Sequence, residues 1–293
     1  MANVMSTERR NTILRLLVEG NSVRSSCRLV GTNIRSVLRQ LTWAGEHCRA
    51  LMDDQFRNLN LRHIECDEIW TFVAKKQARL TTEERAERSD IGDVYLWTGV
   101  DQDTKLIPTF MLGKRTGDMA RRFMVDLASR LAMPKPHQSD DQSYARPGYQ
   151  HQIQLSTDAF AAYPEAVDLA FGPYAKFGTI TKEYRNALMP YTPSEMVGSL
   201  RRPVYGMNED EKRSICTSHV ERNNLTIRTF MKRFTRLVLG FSKKFDNLQA
   251  AVNLHMAYYN YCWRPGKMRI TPAMAAGVTS KLWSFDDLMA GGR

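Results

Sequence analysis

Three textures of apolar and polar residues follow one another along this chain. Over residues 7–50 the apolar positions recur at helical spacing. Ile13, Leu14, Leu16, Leu17 and Val18 make one face, started by Thr7 and ended at Gly20. Ser22 caps a second helix with Val23, Cys27 and Val30 inward. Gly31-Thr32 makes a sharp turn, and a third helix over 33–44 turns Ile34, Val37, Leu38 and Leu41 inward. It shows Asn33, Arg35, Ser36, Arg39 and Gln40 outward. The texture then becomes strand-like, with apolar runs over 64–74, 94–100 and 106–112. Asp101-Gln102-Asp103-Thr104 reads as a hairpin turn between the last two. The third texture alternates. An amphipathic helix over 118–132 precedes a strand over 153–157, a helix from Asp158 to about Phe171, a strand over 175–182 and two long helices over 216–234 and 242–262. Polar or Pro-rich stretches at 75–92, 133–151 and 183–213 read as insertions.

The first texture, helix, short helix, glycine turn, helix, is a helix-turn-helix pattern, and it predicts a DNA-binding unit over residues 1–55. Arg35 and Arg39 are its candidates for groove contact, with Arg9, Arg10, Arg24 and Arg28 nearby. The order of the remaining elements is three strands, helix, strand, helix, strand, helix. That order predicts an α/β, ribonuclease H-like domain over 62–262. Its mixed five-stranded sheet would begin as an antiparallel meander and carry helices on its faces. Residues 263–293 would form a C-terminal tail.

Composition narrows the partner. The 293 residues carry a formal net charge of +11, which favours a polyanion. An apolar content of 43% and a charged content of 25% fit a globular core rather than a disordered chain. No apolar run is long enough to span a bilayer, which takes about 18 residues or more, and Met1 to Arg10 holds no apolar signal region. Nucleic acid and an anionic membrane surface both qualify as that polyanion, and a cytoplasmic location is the expectation. The five cysteines are odd in number and scattered, so they form no disulfide framework. Cys216 and His219 make one C-x-x-H pair, but no second close pair completes a zinc finger.

The candidate chemistry lies in three carboxylates. Asp67 falls in the first strand, Asp158 directly after the fourth, and Glu221 at the head of the penultimate long helix. Alternation puts Glu65 and Asp67 on one face of the strand and Glu68 on the other. Asp158 also suits a helix N-cap, and Glu221 also suits an ion pair with Arg222 or Arg228. Between His219 and Lys244 there are seven Lys/Arg and one acid, Glu221. Arg228, Lys232 and Arg236 recur every four residues, so a continuous helix would put them on one face to track phosphates. Oxygen-only ligands select Mg²⁺ or Mn²⁺. Two such ions about 4 Å apart are the standard device for in-line phosphoryl chemistry.

Three blocks carry a resemblance: Asp67-Glu68-Ile69-Trp70, Thr157-Asp158-Ala159-Phe160-Ala161-Ala162-Tyr163, and Val220-Glu221-Arg222-Asn223-Asn224-Leu225-Thr226-Ile227-Arg228. Together with Leu239-Gly-Phe-Ser-Lys-Lys244, the chain over roughly 62–262 resembles DDE transposases of the insertion sequence 1 family. The resemblance implies a catalytic triad of Asp67, Asp158 and Glu221 that also ligates two Mg²⁺ or Mn²⁺ ions. Arg222, Asn223 and Arg228 would approach DNA beside it. It further implies binding of terminal inverted repeats and target DNA, by a homodimer or higher oligomer. The cysteine-rich finger with which family members often begin is missing. A non-catalytic regulator derived from a transposase, or a nuclease without joining activity, would share much of this sequence.

Overall fold

The computed structural model describes residues 5–133, 152–185, 195–235, 238–266 and 268–291. Three helices open the chain: α1 (Thr7–Val18), α2 (Val23–Val30) and α3 (Ile34–Gln55). Each start is capped by a side-chain oxygen: Ser6 accepts from Arg9 N, Ser22 from Ser25 N, and Asn33 from Ser36 N. The first cap is thus Ser6, one residue before the predicted Thr7. Gly31 ends α2 with φ 63°, a left-handed conformation that glycine adopts without a Cβ penalty. Ile13, Cys27 and Val37 make a small shared core among the three helices. Ile34, expected inward, is 44% exposed at the first turn of α3.

The third helix also runs well past its predicted span, over 22 residues. Beyond Ala44 it continues through Cys48 and Met52, both buried, and packs along α8 (Phe245–Tyr261). Gly45 permits that crossing, because a Cβ there would lie 2.5 Å from Ala250 Cα. Leu14, Leu41, Met52 and Phe56 therefore belong to the same apolar core as the sheet residues Ile64, Ile69 and Trp97.

Among the described residues the sheet has six strands, in the order β3-β2-β1-β4-β5-β6. The strands are β1 (His63–Val73), β2 (Gly92–Asp101), β3 (Thr109–Gly113), β4 (Ile153–Asp158), β5 (Ala175–Arg185) and β6 (Glu195–Tyr205). The first three pair antiparallel, and β1, β4 and β5 run parallel. This is the predicted mixed sheet plus one strand. The extra strand, β6, lies in the stretch expected to be irregular and pairs antiparallel with β5. Most of its residues are exposed, so its sequence lacks the apolar alternation that marks a half-buried strand. The turn at 101–104 forms as expected, with Asp101 Oδ2 accepting from Thr104 N at 2.8 Å and Thr104 Oγ1 at 2.7 Å.

Four further helices frame the sheet: α4 (Thr82–Glu87) in the 75–92 insertion, α5 (Gly117–Arg130), α6 (Tyr163–Phe171) and α7 (Ser218–Phe230). Two short helices, α9 (Pro272–Ala275) and α10 (Phe285–Ala290), close the C-terminal tail over α3 and α8. Among the described residues no helix is long and apolar enough to cross a membrane. The 133–151 insertion lies outside the described residues apart from Met133.

Candidate active site

The parallel pairing of β1 with β4 ends at Cys66↔Thr157. The next residue on each strand is Asp67 and Asp158, so both acids stand where the two strands part. Crevices at the carboxyl ends of parallel strands are the usual ligand positions of open α/β sheets. α7 crosses this edge, with Val220 and Ile227 buried beneath it, and brings Glu221 to the same opening. Asp67, Asp158 and Glu221 all line one cleft of about 780 Å³, together with Arg115, Lys182, Thr217, Asn224 and Arg228.

Each carboxylate is held differently. Asp67 Oδ2 accepts from Asn224 Nδ2 at 2.7 Å, and its Oδ1 accepts from Glu68 N at 2.8 Å. Asp158 Oδ1 accepts from Phe160 N at 3.0 Å, and its Oδ2 accepts from Arg115 Nη2 at 2.8 Å. Asp158 is not a helix N-cap, since α6 begins only at Tyr163. Glu221 Oε1 accepts from Thr217 Oγ1 at 2.7 Å and pairs with Lys182. Glu221 thus has an ion-pair partner that its own helix does not supply, Lys182 of β5.

A fourth acid joins them. Asp67, Glu68 and Asp158 offer oxygens that all lie within 4.8 Å of one another. Glu68 points to the opposite face from Asp67, as alternation requires, yet the end of β4 lets Asp158 meet both. Its carboxylate is 2% exposed and bound by Arg115 Nε at 3.0 Å and by the Tyr163 hydroxyl. Tyr163 is fully buried and stacks edge-on against Trp97. Burial, then the Asp158 charge, pushes Glu68 up to about 7. Burial, then the charges of Asp158 and Glu221, pushes Asp67 up to about 6, against the Glu68 N–H and the Arg228 charge.

These donors fit a hard divalent cation. They are all oxygens, they repel one another, and Arg115, Lys182 and Arg228 are cations that face them. The acids whose oxygens converge are Asp67, Glu68 and Asp158, and Glu221 lines the same cleft outside that group. Glu68, Asn224, Lys182 and Arg115 are the site residues that sequence reasoning did not assign. Alternation steered Glu68 away, Asn224 stands in the glutamate block without a role, and Lys182 and Arg115 signal nothing until the strands are placed.

The predicted DNA-contacting residues separate into groups. Arg35 and Arg39 are exposed on α3. Arg222 is exposed beside Glu221, whereas Asn223 is 4% exposed and its amide points inward. Arg228 lines the cleft. The single basic face of Arg228, Lys232 and Arg236 does not form as a helix. α7 ends at Phe230, because the chain turns to bury Met231 and Phe234. Lys232 is exposed in that turn, and Arg236 lies outside the described residues.

No protein-family profile matches the sequence, and no curated protein matches it. Among solved structures, the chain is similar to the crystal structure of the Mos1 strand transfer complex. The match has 10% identity and a TM-score of 0.26, covering 88% of this chain and 79% of that one. A superposition that loose carries no inference about function.

Proposed function

We propose that this protein is a metal-dependent DNA transposase of the DDE type, with Asp67, Asp158 and Glu221 as its triad. One observation carries the reading: three carboxylates far apart in sequence, on β1, β4 and α7, line a single cleft in a chain of net charge +11. Two Mg²⁺ or Mn²⁺ ions, when bound, would supply charge stabilisation to the attacking and leaving oxygens of an in-line displacement. Asp67 and Asp158 would hold them from the sheet, and Glu221 from the helix. Arg228 and Lys182 would meet the phosphate oxygens at the cleft wall, and Arg222 would contact DNA outside it. Arg35 and Arg39, on the exposed side of a helix-turn-helix unit, would read the terminal inverted repeats. The resemblance to insertion sequence 1 transposases adds target DNA as second substrate and a homodimer or higher oligomer as the working form.

The test is a product assay. Duplexes carrying the DNA that flanks the coding region are labelled and incubated with the full chain, Mg²⁺ and a target plasmid. The expected products are a nick exposing a 3′-hydroxyl and a joined strand. Nicks without joining would make the protein a nuclease. Binding without either, in Mg²⁺ and in Mn²⁺, would make it a regulator.

A further inference from the structure

The C-x-x-H pair that lacked partners in the sequence finds one in the fold. Glu65, on β1, offers a carboxylate oxygen within 4.8 Å of ligand atoms from Cys216 and His219. We propose that Glu65, Cys216 and His219 form a second metal centre, for a borderline-soft dication such as Zn²⁺, distinct from the oxygen-only cleft.

The carboxylate is already oriented for this. Glu65 is 2% exposed, and its Oε2 accepts two backbone N–H groups at the start of α7, from His219 at 2.7 Å and Val220 at 3.0 Å. Those bonds fix the group while leaving Oε1 facing His219 Nδ1 at 2.7 Å. An ion seated between Oε1 and Nδ1 displaces the proton they share to solvent, and the neutral ring carries its one proton on Nε2. Oε2 keeps both helix bonds, the hydrogen-bonded support that ligating carboxylates usually have. Cys216 sits on the loop entering α7, its sulfur accepting from Ser218 N at 3.4 Å beside the Ser218 hydroxyl. On binding, the thiol gives its proton to solvent. Thiolate and carboxylate then balance the two positive charges, so a neutral unit is left where an uncompensated charge would be costly.

The donor set decides the ion. One sulfur, one nitrogen and one oxygen suit Zn²⁺ or Co²⁺ and disfavour Mg²⁺. Three protein ligands leave a fourth position open, and His219, 30% exposed, puts that position within reach of solvent. Glu65 precedes Asp67 by two residues on one strand face, and His219 precedes Glu221 by two. The ion would therefore pin β1 to α7 beside the triad, whatever reaction the triad performs.

The experiment is a Co²⁺ titration of the full chain, read by absorption. A thiolate-to-cobalt charge-transfer band should grow to saturation at one equivalent and vanish on adding Zn²⁺. The carboxylate cleft contains no thiol and cannot produce that band. Cys216→Ser should abolish it. His219→Ala should weaken binding by more than the roughly 10–100-fold that losing an outer-shell partner costs. Asp67→Asn should keep the band in full while losing strand cleavage. No band in the wild-type chain would overturn the proposal, as would an equal band in Cys216→Ser. If Asp67→Asn cleaved DNA normally, the transposase reading would fail and this metal centre would stand.

Discussion

Glu65 and Asp67 lie two residues apart on one face of one strand, and both turn toward α7, yet their surroundings differ in kind. The Glu65 carboxylate is closed off. It receives two backbone N–H groups from the first turn of α7 and a histidine ring, an arrangement in which a helix N-terminus stabilises negative charge. The Asp67 carboxylate is left open. It takes one side-chain amide and one backbone N–H, faces the cleft, and is pushed up to about 6 by burial and by two neighbouring acids. One carboxylate joins strand to helix; the other is held against its own electrostatic preference, as functional groups often are. Removing charge should therefore have opposite consequences at the two positions.

The largest contrast is in activity. Asp67→Asn, Asp158→Asn and Glu221→Gln should each lower single-turnover strand cleavage by roughly 10³-fold or more, with duplex binding retained. Glu65→Gln keeps an acceptor for the helix N–H groups and should retain most cleavage. If Glu65→Gln were as dead as Asp67→Asn, the division between a structural and a functional carboxylate would be broken.

Stability should divide them the other way. Glu65→Ala leaves the N–H groups of His219 and Val220 without their buried acceptor and should cost about 2–4 kcal/mol. Asp67→Asn relieves repulsion from Asp158 and Glu221 and should raise the stability of the metal-free protein by about 1 kcal/mol. Urea unfolding in chelator measures both. A loss of similar size in the two variants would mean that Asp67 is as structural as Glu65.

This contrast was half legible in the sequence. Asp67, Asp158 and Glu221 could be singled out, and strand alternation gave the shared face of Glu65 and Asp67. The antiparallel meander of β1, β2 and β3 followed from the order of elements. What failed depended on contacts across the chain. Glu68 joins Asp158 because β4 ends there, which no spacing encodes. The end of α7 at Phe230 is set by burial of Met231 and Phe234, so the four-residue spacing of basic side chains misled. β6 was missed because an edge strand exposed on both faces has no apolar period. Cys216 and His219 lacked a third ligand until the fold brought Glu65 to them.

The pH dependence sharpens the comparison further. The Asp67 pKa rises from 3.8 to about 6 on folding, so the folded state binds its proton more tightly. Its contribution to metal-free stability is present below about pH 3.8 and is lost as pH rises through about 6. A divalent ion competes with that proton. Apparent Mg²⁺ affinity should therefore fall about tenfold per pH unit below 6, where one proton is displaced per ion. Calorimetric Mg²⁺ titrations between about pH 5 and 8 test this, and the slope should flatten in Asp67→Asn. A flat profile in the wild-type chain would remove Asp67 from the ligand set.

The smallest effect tests what holds Asp67 in place. Asn224 is 3% exposed, and its Nδ2 donates to Asp67 Oδ2 while its Oδ1 has no hydrogen-bond partner among the described residues. The opposite orientation would set oxygen against carboxylate, so Asp67 fixes the amide as much as the amide fixes Asp67. The bond favours the charged acid. Asn224→Ala should raise the Asp67 pKa further and move the acid limb of Mg²⁺ binding to higher pH. Water from the cleft would replace part of the lost bond, and a hydrogen bond to a charged group contributes about 1.5–3 kcal/mol at most. The limb should therefore move by about half a unit to one unit, with the affinity at high pH almost unchanged. The same calorimetric series reads both quantities. A lower plateau with an unmoved limb would mean that Asn224 acts on the bound ion or its ligand geometry rather than on the charge of Asp67.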